Sequence, residues 1–169
     1  MAVTRKTTAQ GGRYYIPTED EWYKAAYFDP AKAGGAGYWD YATGTDSIPS
    51  NALSSTGTNN ANFNMTIGSP CYRTEVGAFA ASDSPYSTFD QDGNVWEWNE
   101  ANISGSYRGL RGGSYLYNNS TLLASYRADY YPANDNYDVG FRVSEVPEPA
   151  TLSLLALGGL ALLRFRRRT

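Results

Sequence analysis

Apolar positions come in short groups along most of this chain, and only two stretches hold a sustained pattern. In the first, Trp22, Tyr23, Ala25 and Ala26 follow an acidic start of Glu19, Asp20 and Glu21. That spacing predicts an amphipathic helix. Thr18 is its N-cap and forms a capping box with Glu21 three residues on. The acids lie at the positive end of the helix, where they serve the helix itself, and Asp29-Pro30 ends it. The second stretch, residues 150–163, carries no charge and runs into Arg164, Arg166, Arg167 and Arg168. It predicts an apolar C-terminal helix roughly 21 Å long, short of a ~30 Å hydrocarbon core.

Between these stretches the pattern is brief and interrupted. Residues 73–79, 94–101, 107–115 and 139–144 read as short strands separated by turn formers. Residues 31–64 read as a loop built on "AGGAG", "TGTDS" and "STGTNNAN", with one brief strand at "YWDYAT". That loop is too long for a passive connection, so it is expected to be functional or pinned by bound ligands. Trp96 and Trp98 flank Glu97 and share one side of their strand, in a core role. With 17 Gly and 15 Tyr, the body suits turns and short strands better than a helical bundle.

Composition removes several chemistries. The chain has no His, so it lacks the commonest general base and transition-metal ligand, and any Ser–His or Cys–His nucleophile. The single Cys, Cys71, allows neither an internal disulfide nor a Cys-rich zinc site. Residues 1–145 hold 10 Lys/Arg against 16 Asp/Glu. An acidic body of this kind argues against nucleic acid as a partner.

Two segments suggest binding. Asp90, Asp92 and Asn94 alternate as in a calcium loop. An EF-hand, however, needs Gly at its sixth position and Glu at its twelfth, and Val95 and Ala101 stand there. Residues 107–137 contain seven Tyr among Asn, Ser and Asp, the chemistry of adaptable recognition surfaces. Tyr115, Tyr117 and Arg127 are the candidate ligand contacts in this segment. Arg127 and Arg142 also suit structural roles, paired with buried carboxylates or carbonyls.

The last 24 residues, "VPEPATLSLLALGGLALLRFRRRT", resemble the PEP-CTERM sorting signal of bacteria. The Pro147–Glu148–Pro149 motif, the apolar segment and the basic cluster occur in that order. The resemblance implies export, recognition by an exosortase, and transient anchoring in the inner membrane through a short spanning segment. Such a signal is an address rather than a lasting anchor.

The body carries a second resemblance. "YYIPTEDEW", "GNVWEW", "RGGSY" and "GFRV" stand in one order, similar to the formylglycine-generating, or sulfatase-modifying-factor, family. Its pattern is R-L-P-T-E-x-E-W, G-N-V-W-E-W, R-G-G-S-W and G-F-R. The resemblance implies an α+β, C-type lectin-like fold, irregular, with a small antiparallel sheet and few helices. It divides the chain into a disordered start (1–11), a family domain (12–145) and the sorting signal (146–169). Family domains begin further upstream, and residues 1–10 show no apolar signal segment. The expectation is therefore a C-terminal portion of a larger protein.

The resemblance also frames the chemistry. Catalytic members oxidise a substrate cysteine with molecular oxygen, using a copper-binding cysteine pair just after R-G-G-S. The corresponding positions here are Tyr117 and Leu122, which argues against copper and against the oxidase. Other branches use non-haem iron held by His, which this chain lacks. Structural calcium in the family is bound through the G-N-x-W-E-W segment, pointing to Asn94 and Glu97. A second family site uses an Asn like Asn62 and a downstream Asp, but no Asp lies between Asn62 and Asp83. The expectation is an exported surface or matrix protein whose domain binds a glycan or protein without catalysis. The alternatives are an enzyme of the same family, and a fragment that does not fold alone.

Overall fold

The computed structural model describes residues 14–145. The expected disordered start, the C-terminal apolar helix and Pro147–Glu148–Pro149 lie outside the described residues. Two compact units divide the chain. Ile16–Ser144 belongs to one, and Tyr14, Tyr15 and Glu145 are the described residues of the other.

The elements are β1 (Tyr14–Tyr15), α1 (Glu19–Tyr27), β2 (Phe28–Asp29), β3 (Gly37–Tyr38), β4 (Trp96–Ser104), β5 (Tyr107–Arg111), β6 (Ala128–Tyr130), β7 (Val139–Gly140) and β8 (Ser144–Glu145). One 3-10 turn, Asn119–Leu122, lies between β5 and β6. Little regular structure and small sheets make this the irregular α+β architecture expected.

Helix α1 forms for the reasons legible in the sequence. Thr18 Oγ1 accepts the Glu21 amide at 3.2 Å, and Glu21 Oε2 accepts the Thr18 amide at 2.8 Å. Such a cap contributes about 1 kcal/mol. The buried stripe is Trp22, Ala26 and Tyr27. Tyr27 replaces the expected Ala25, which is half-buried, because Tyr27 packs with Ala42 and Ala124 and reaches the Leu122 carbonyl.

The main sheet has the order β6-β5-β4-β7. Strand β4 pairs antiparallel with β5, and β5 with β6, while β4 and β7 run parallel. Trp98 faces Leu110, which faces Ala128, so these three share one side of the sheet. Arg108 and Tyr130 are opposite one another on that same side. Glu97 and Arg111 pair on the other side, against α1.

Two apolar clusters form the core. Trp22, Ala26 and Tyr27 pack with Ala42 and Ala124, and Tyr41, Ala61 and Phe63 pack with Leu122. Tyr27 Oη donates to the Leu122 carbonyl at 3.3 Å and links the two.

The expected strand at 73–79 does not form, and those residues make turns. No hydrophobic alternation is strong enough there to hold a pairing register. Instead, residues 39–95 are tied by isolated bridges and side-chain bonds. Asn60 N donates to Ser82 Oγ at 2.9 Å, and Thr43 Oγ1 to Asn59 Oδ1 at 2.6 Å. Gly93 adopts φ +77°, and a Cβ there would come within 2.2 Å of the Asn62 carbonyl. Only glycine allows that approach.

Candidate functional site

The four sequence motifs converge in space, and their polar side chains are engaged with one another. Glu19 Oε1 accepts Arg111 Nε at 2.9 Å and the Arg111 NH2 group at 2.6 Å. Its other oxygen accepts Arg127. The remaining Arg111 nitrogen donates to the carbonyls of Ala124 and Tyr126 at 2.8 and 2.7 Å. Glu97 forms a second knot. Trp22 Nε1 donates to its Oε2 at 2.6 Å, and Arg142 binds both of its oxygens. A third contact joins Ser114 Oγ to buried Asp138 at 2.8 Å. Glu19, Glu97, Arg111, Arg142 and Ser114 thus hold the fold together. Arg127 belongs to the first knot, in the structural role open to it from the sequence.

The two positions after R-G-G-S differ sharply. Leu122 is fully buried in the core, whereas Tyr117 is 46% exposed and packs edge-on against Trp96 at 5.6 Å. Tyr115 is buried and stacks on Tyr72 at 5.6 Å. Burial pushes the Tyr117 phenol up, and Asp138 adds to the shift. Its hydroxyl is therefore a neutral donor at physiological pH.

Asn94 and Glu97 do not form a shared cation cradle. Asn94 Oδ1 accepts Asn62 Nδ2 at 3.1 Å and the Thr74 amide at 3.0 Å. Both Glu97 oxygens are held by Arg142, whose guanidinium already supplies the positive charge a calcium ion would bring. The donor set therefore does not fit calcium at this pair. Among the described residues, no group of three or more His, Cys, Asp or Glu converges as metal ligands. Cys71 is exposed.

The side of the sheet away from α1 is aromatic. Trp96 contacts Tyr126 at 5.9 Å as well as Tyr117, and Trp98 contacts Tyr130 at 6.4 Å. Trp96 is buried and Trp98 half-buried, while Tyr117 and Tyr126 are exposed. The alternation around Glu97 did place both Trp on one side. What it did not show is that tyrosines from distant turns extend this layer to the surface.

Comparison with known proteins decides the family. The model of the sulfatase-modifying factor enzyme 1-like domain matches residues 4–146. The chain belongs to this family. Residues 145–168 match the PEP-CTERM protein-sorting motif, which implies export to the cell envelope and processing by exosortase-type machinery. Among the described residues, no helix is long and apolar enough to cross a membrane.

Within the sulfatase-modifying-factor family, the chain is similar to hercynine oxygenases of Mycolicibacterium smegmatis and Mycolicibacterium thermoresistibile. It is 29% and 28% identical to them over 76% of its length. It spans about a third of the length of these curated relatives, 32% and 31%. Among solved structures it is similar to Treponema denticola variable protein 1, with TM-score 0.56 and 27% identity, covering 80% of this chain and 49% of that one. It is also similar to CarF, with TM-score 0.51 and 25% identity, covering 85% and 51%. PvdO from Pseudomonas aeruginosa shares the fold at TM-score 0.55 and 18% identity, covering 82% and 55%.

Sequence reasoning missed several partners. Asp138 and the Glu19–Arg111 pairing carry no local signal, because 92 residues separate Glu19 from Arg111. Asp92 was visible in the Asp–Asp–Asn alternation, but its burial was not.

Proposed function

We propose that this domain is a non-catalytic binding module, delivered to the cell envelope by its sorting motif, that holds a surface glycan or protein on its aromatic face. The observation carrying this reading is the layer of Trp96, Trp98, Tyr117, Tyr126 and Tyr130, in which the exposed phenols of Tyr117 and Tyr126 contact the buried indole of Trp96. Rigid aromatic side chains with a polar tip supply contact area at low entropic cost, which suits recognition. The positions of the copper cysteines, a buried Leu122 and a surface Tyr117, support binding over oxidation. The relatives named hercynine oxygenase keep an enzymatic reading in view. That reading would need ligands for iron from outside this chain, since the chain has no His.

Two measurements test the proposal. Retention on envelope polysaccharide and envelope protein fractions should fall at least about tenfold on Tyr117→Ala with Tyr126→Ala, two aromatic contacts of about 1 kcal/mol each. Unchanged retention on both fractions would reject the aromatic face. Conversion of a cysteine-containing peptide to formylglycine with copper and oxygen would reject the non-catalytic reading.

A further inference from the structure

Helix α1 and the β2–β3 hairpin carry a second row of aromatic side chains, separate from the Trp96 and Trp98 layer. Tyr23 packs on Tyr38 with ring centroids 5.2 Å apart, Tyr38 on its cross-strand partner Phe28 at 5.1 Å, and Phe28 on Tyr86 at 6.4 Å. The Phe28 and Tyr86 rings lie within 24° of parallel. The inner end is anchored in the core, where Tyr23 meets buried Tyr27 at 4.9 Å. The outer end is held by a turn: Ser84 Oγ accepts the amides of Tyr86 and Thr88 at 3.3 and 3.2 Å, and Thr88 Oγ1 donates to the Ala25 carbonyl of α1 at 3.3 Å. Tyr38 is 49% exposed and Tyr86 44%. Among the described residues neither phenol hydroxyl meets a hydrogen-bond partner.

A cation sits on this row. Lys32, Arg111, Arg127 and Arg142 each meet a carboxylate. Lys24, exposed on α1, meets none among the described residues. Its Nζ lies instead 5.6 Å from the Phe28 centroid and 6.0 Å from that of Tyr86. Such contact keeps an ammonium near the rings without neutralising it. Asp20, one turn earlier on α1, and Asp83, just before Ser84, are exposed to water and leave Lys24 unpaired. The surface therefore offers one positive charge among rings and two free hydroxyls, already in place before any ligand arrives. That order lowers the cost of binding.

We propose that Lys24, Phe28, Tyr38 and Tyr86 form a second binding surface, for an acidic polysaccharide. Sugar rings pack their C–H faces on the aromatic rings, the phenol hydroxyls bond to sugar hydroxyls, and one sugar carboxylate pairs with Lys24. A single lysine in an acidic body cannot serve the dense phosphates of a nucleic acid, but it matches carboxylates spaced along a sugar chain. A folded protein partner needs about 1,000 Å² around a buried cluster of anchors. Two exposed phenols, a half-buried Phe28 and one lysine are too few for that, whereas a polymer gains strength from many such contacts in series. The surface works independently of the Trp96 face and uses none of its residues.

The test uses the full chain and three acidic probes, polygalacturonate, alginate and hyaluronate, in affinity gel electrophoresis. At least one should retard the parent, and salt at about 0.5 M should weaken the effect. Carboxyl-reduced polygalacturonate, which is neutral, should bind at least about fivefold more weakly than the acidic polymer. Lys24→Gln should weaken binding about fivefold or more, and Tyr38→Ala with Tyr86→Ala about tenfold. Lys24→Arg should retain it. Lys24→Gln and Tyr86→Ala alter exposed side chains and should melt within about 3 °C of the parent, so lost binding is not lost folding. Failure of all three polymers to bind overturns the proposal. So does equal affinity for the neutral polymer, or full affinity retained in both Lys24→Gln and Tyr86→Ala. Binding lost on Tyr117→Ala with Tyr126→Ala but kept in Tyr86→Ala puts the ligand on the other face and also overturns it.

Discussion

Replacing Glu97 with Gln removes the charge from a buried carboxylate that accepts three side-chain hydrogen bonds and changes almost no volume. In the native protein Trp22 Nε1 and Arg142 Nε both donate to Oε2, and the Arg142 NH2 group donates to Oε1 at 2.6 Å. The Glu97 side chain is 8% exposed and that of Arg142 25%. Gln still accepts from the indole, but its amide group then faces the guanidinium. Breaking a buried pair from one side costs about 3–5 kcal/mol. Arg142 retains some water, so the lower end, about 3 kcal/mol, applies. For a domain of this size that lowers Tm by roughly 10 °C. Urea or thermal unfolding followed by tryptophan fluorescence reads the change. Adding Arg142→Met to Glu97→Gln should recover part of the loss, with a coupling energy of about 2 kcal/mol or more. A Glu97→Gln protein melting within about 2 °C of the parent, or strictly additive losses, would refute the account of Glu97 as the charge that anchors Arg142.

Two further outcomes follow from the same packing. Arg111→Lys should destabilise by about 2–4 kcal/mol in denaturant titration, because one ammonium cannot serve Glu19 and the carbonyls of Ala124 and Tyr126 together. Gly112→Ala should destabilise by at least about 2 kcal/mol in the same assay. Gly112 holds φ +90°, and a Cβ there would lie 2.4 Å from the Gln91 carbonyl.

Parts of this protein were legible before any coordinates. Thr18, Glu21 and the acids between them specify the start of α1 locally, since a capping box needs only neighbours three residues apart. Strands β4 and β5 follow, with shifted ends, from the short runs at 94–101 and 107–115 and the turn formers between them. Four short motifs in order identified the family, and the terminal Pro-Glu-Pro, apolar and basic order identified the sorting motif, because each is a linear signal. The cysteine positions could be counted from Ser114, so Tyr117 and Leu122 were named without a fold.

Tertiary structure decided what those residues do. Glu19 looked like a helix-start acid, and folding places it against Arg111 and Arg127 across roughly a hundred residues of chain. Asn94 and Glu97 looked like neighbours in one cation site. Strand geometry instead turns Glu97 toward α1, where Trp22 and Arg142 take its oxygens. Tyr115 and Tyr117 differ by two positions, yet one is buried and the other open to solvent. Residues 39–95 contain no strand or helix, and their shape rests on isolated bridges and on side-chain-to-backbone bonds between remote partners. Periodicity reports only which face of an element is apolar, and such loops have no periodicity. The burial of Asp92 depends on amides at Ala42 and Thr43 that only the folded chain brings near.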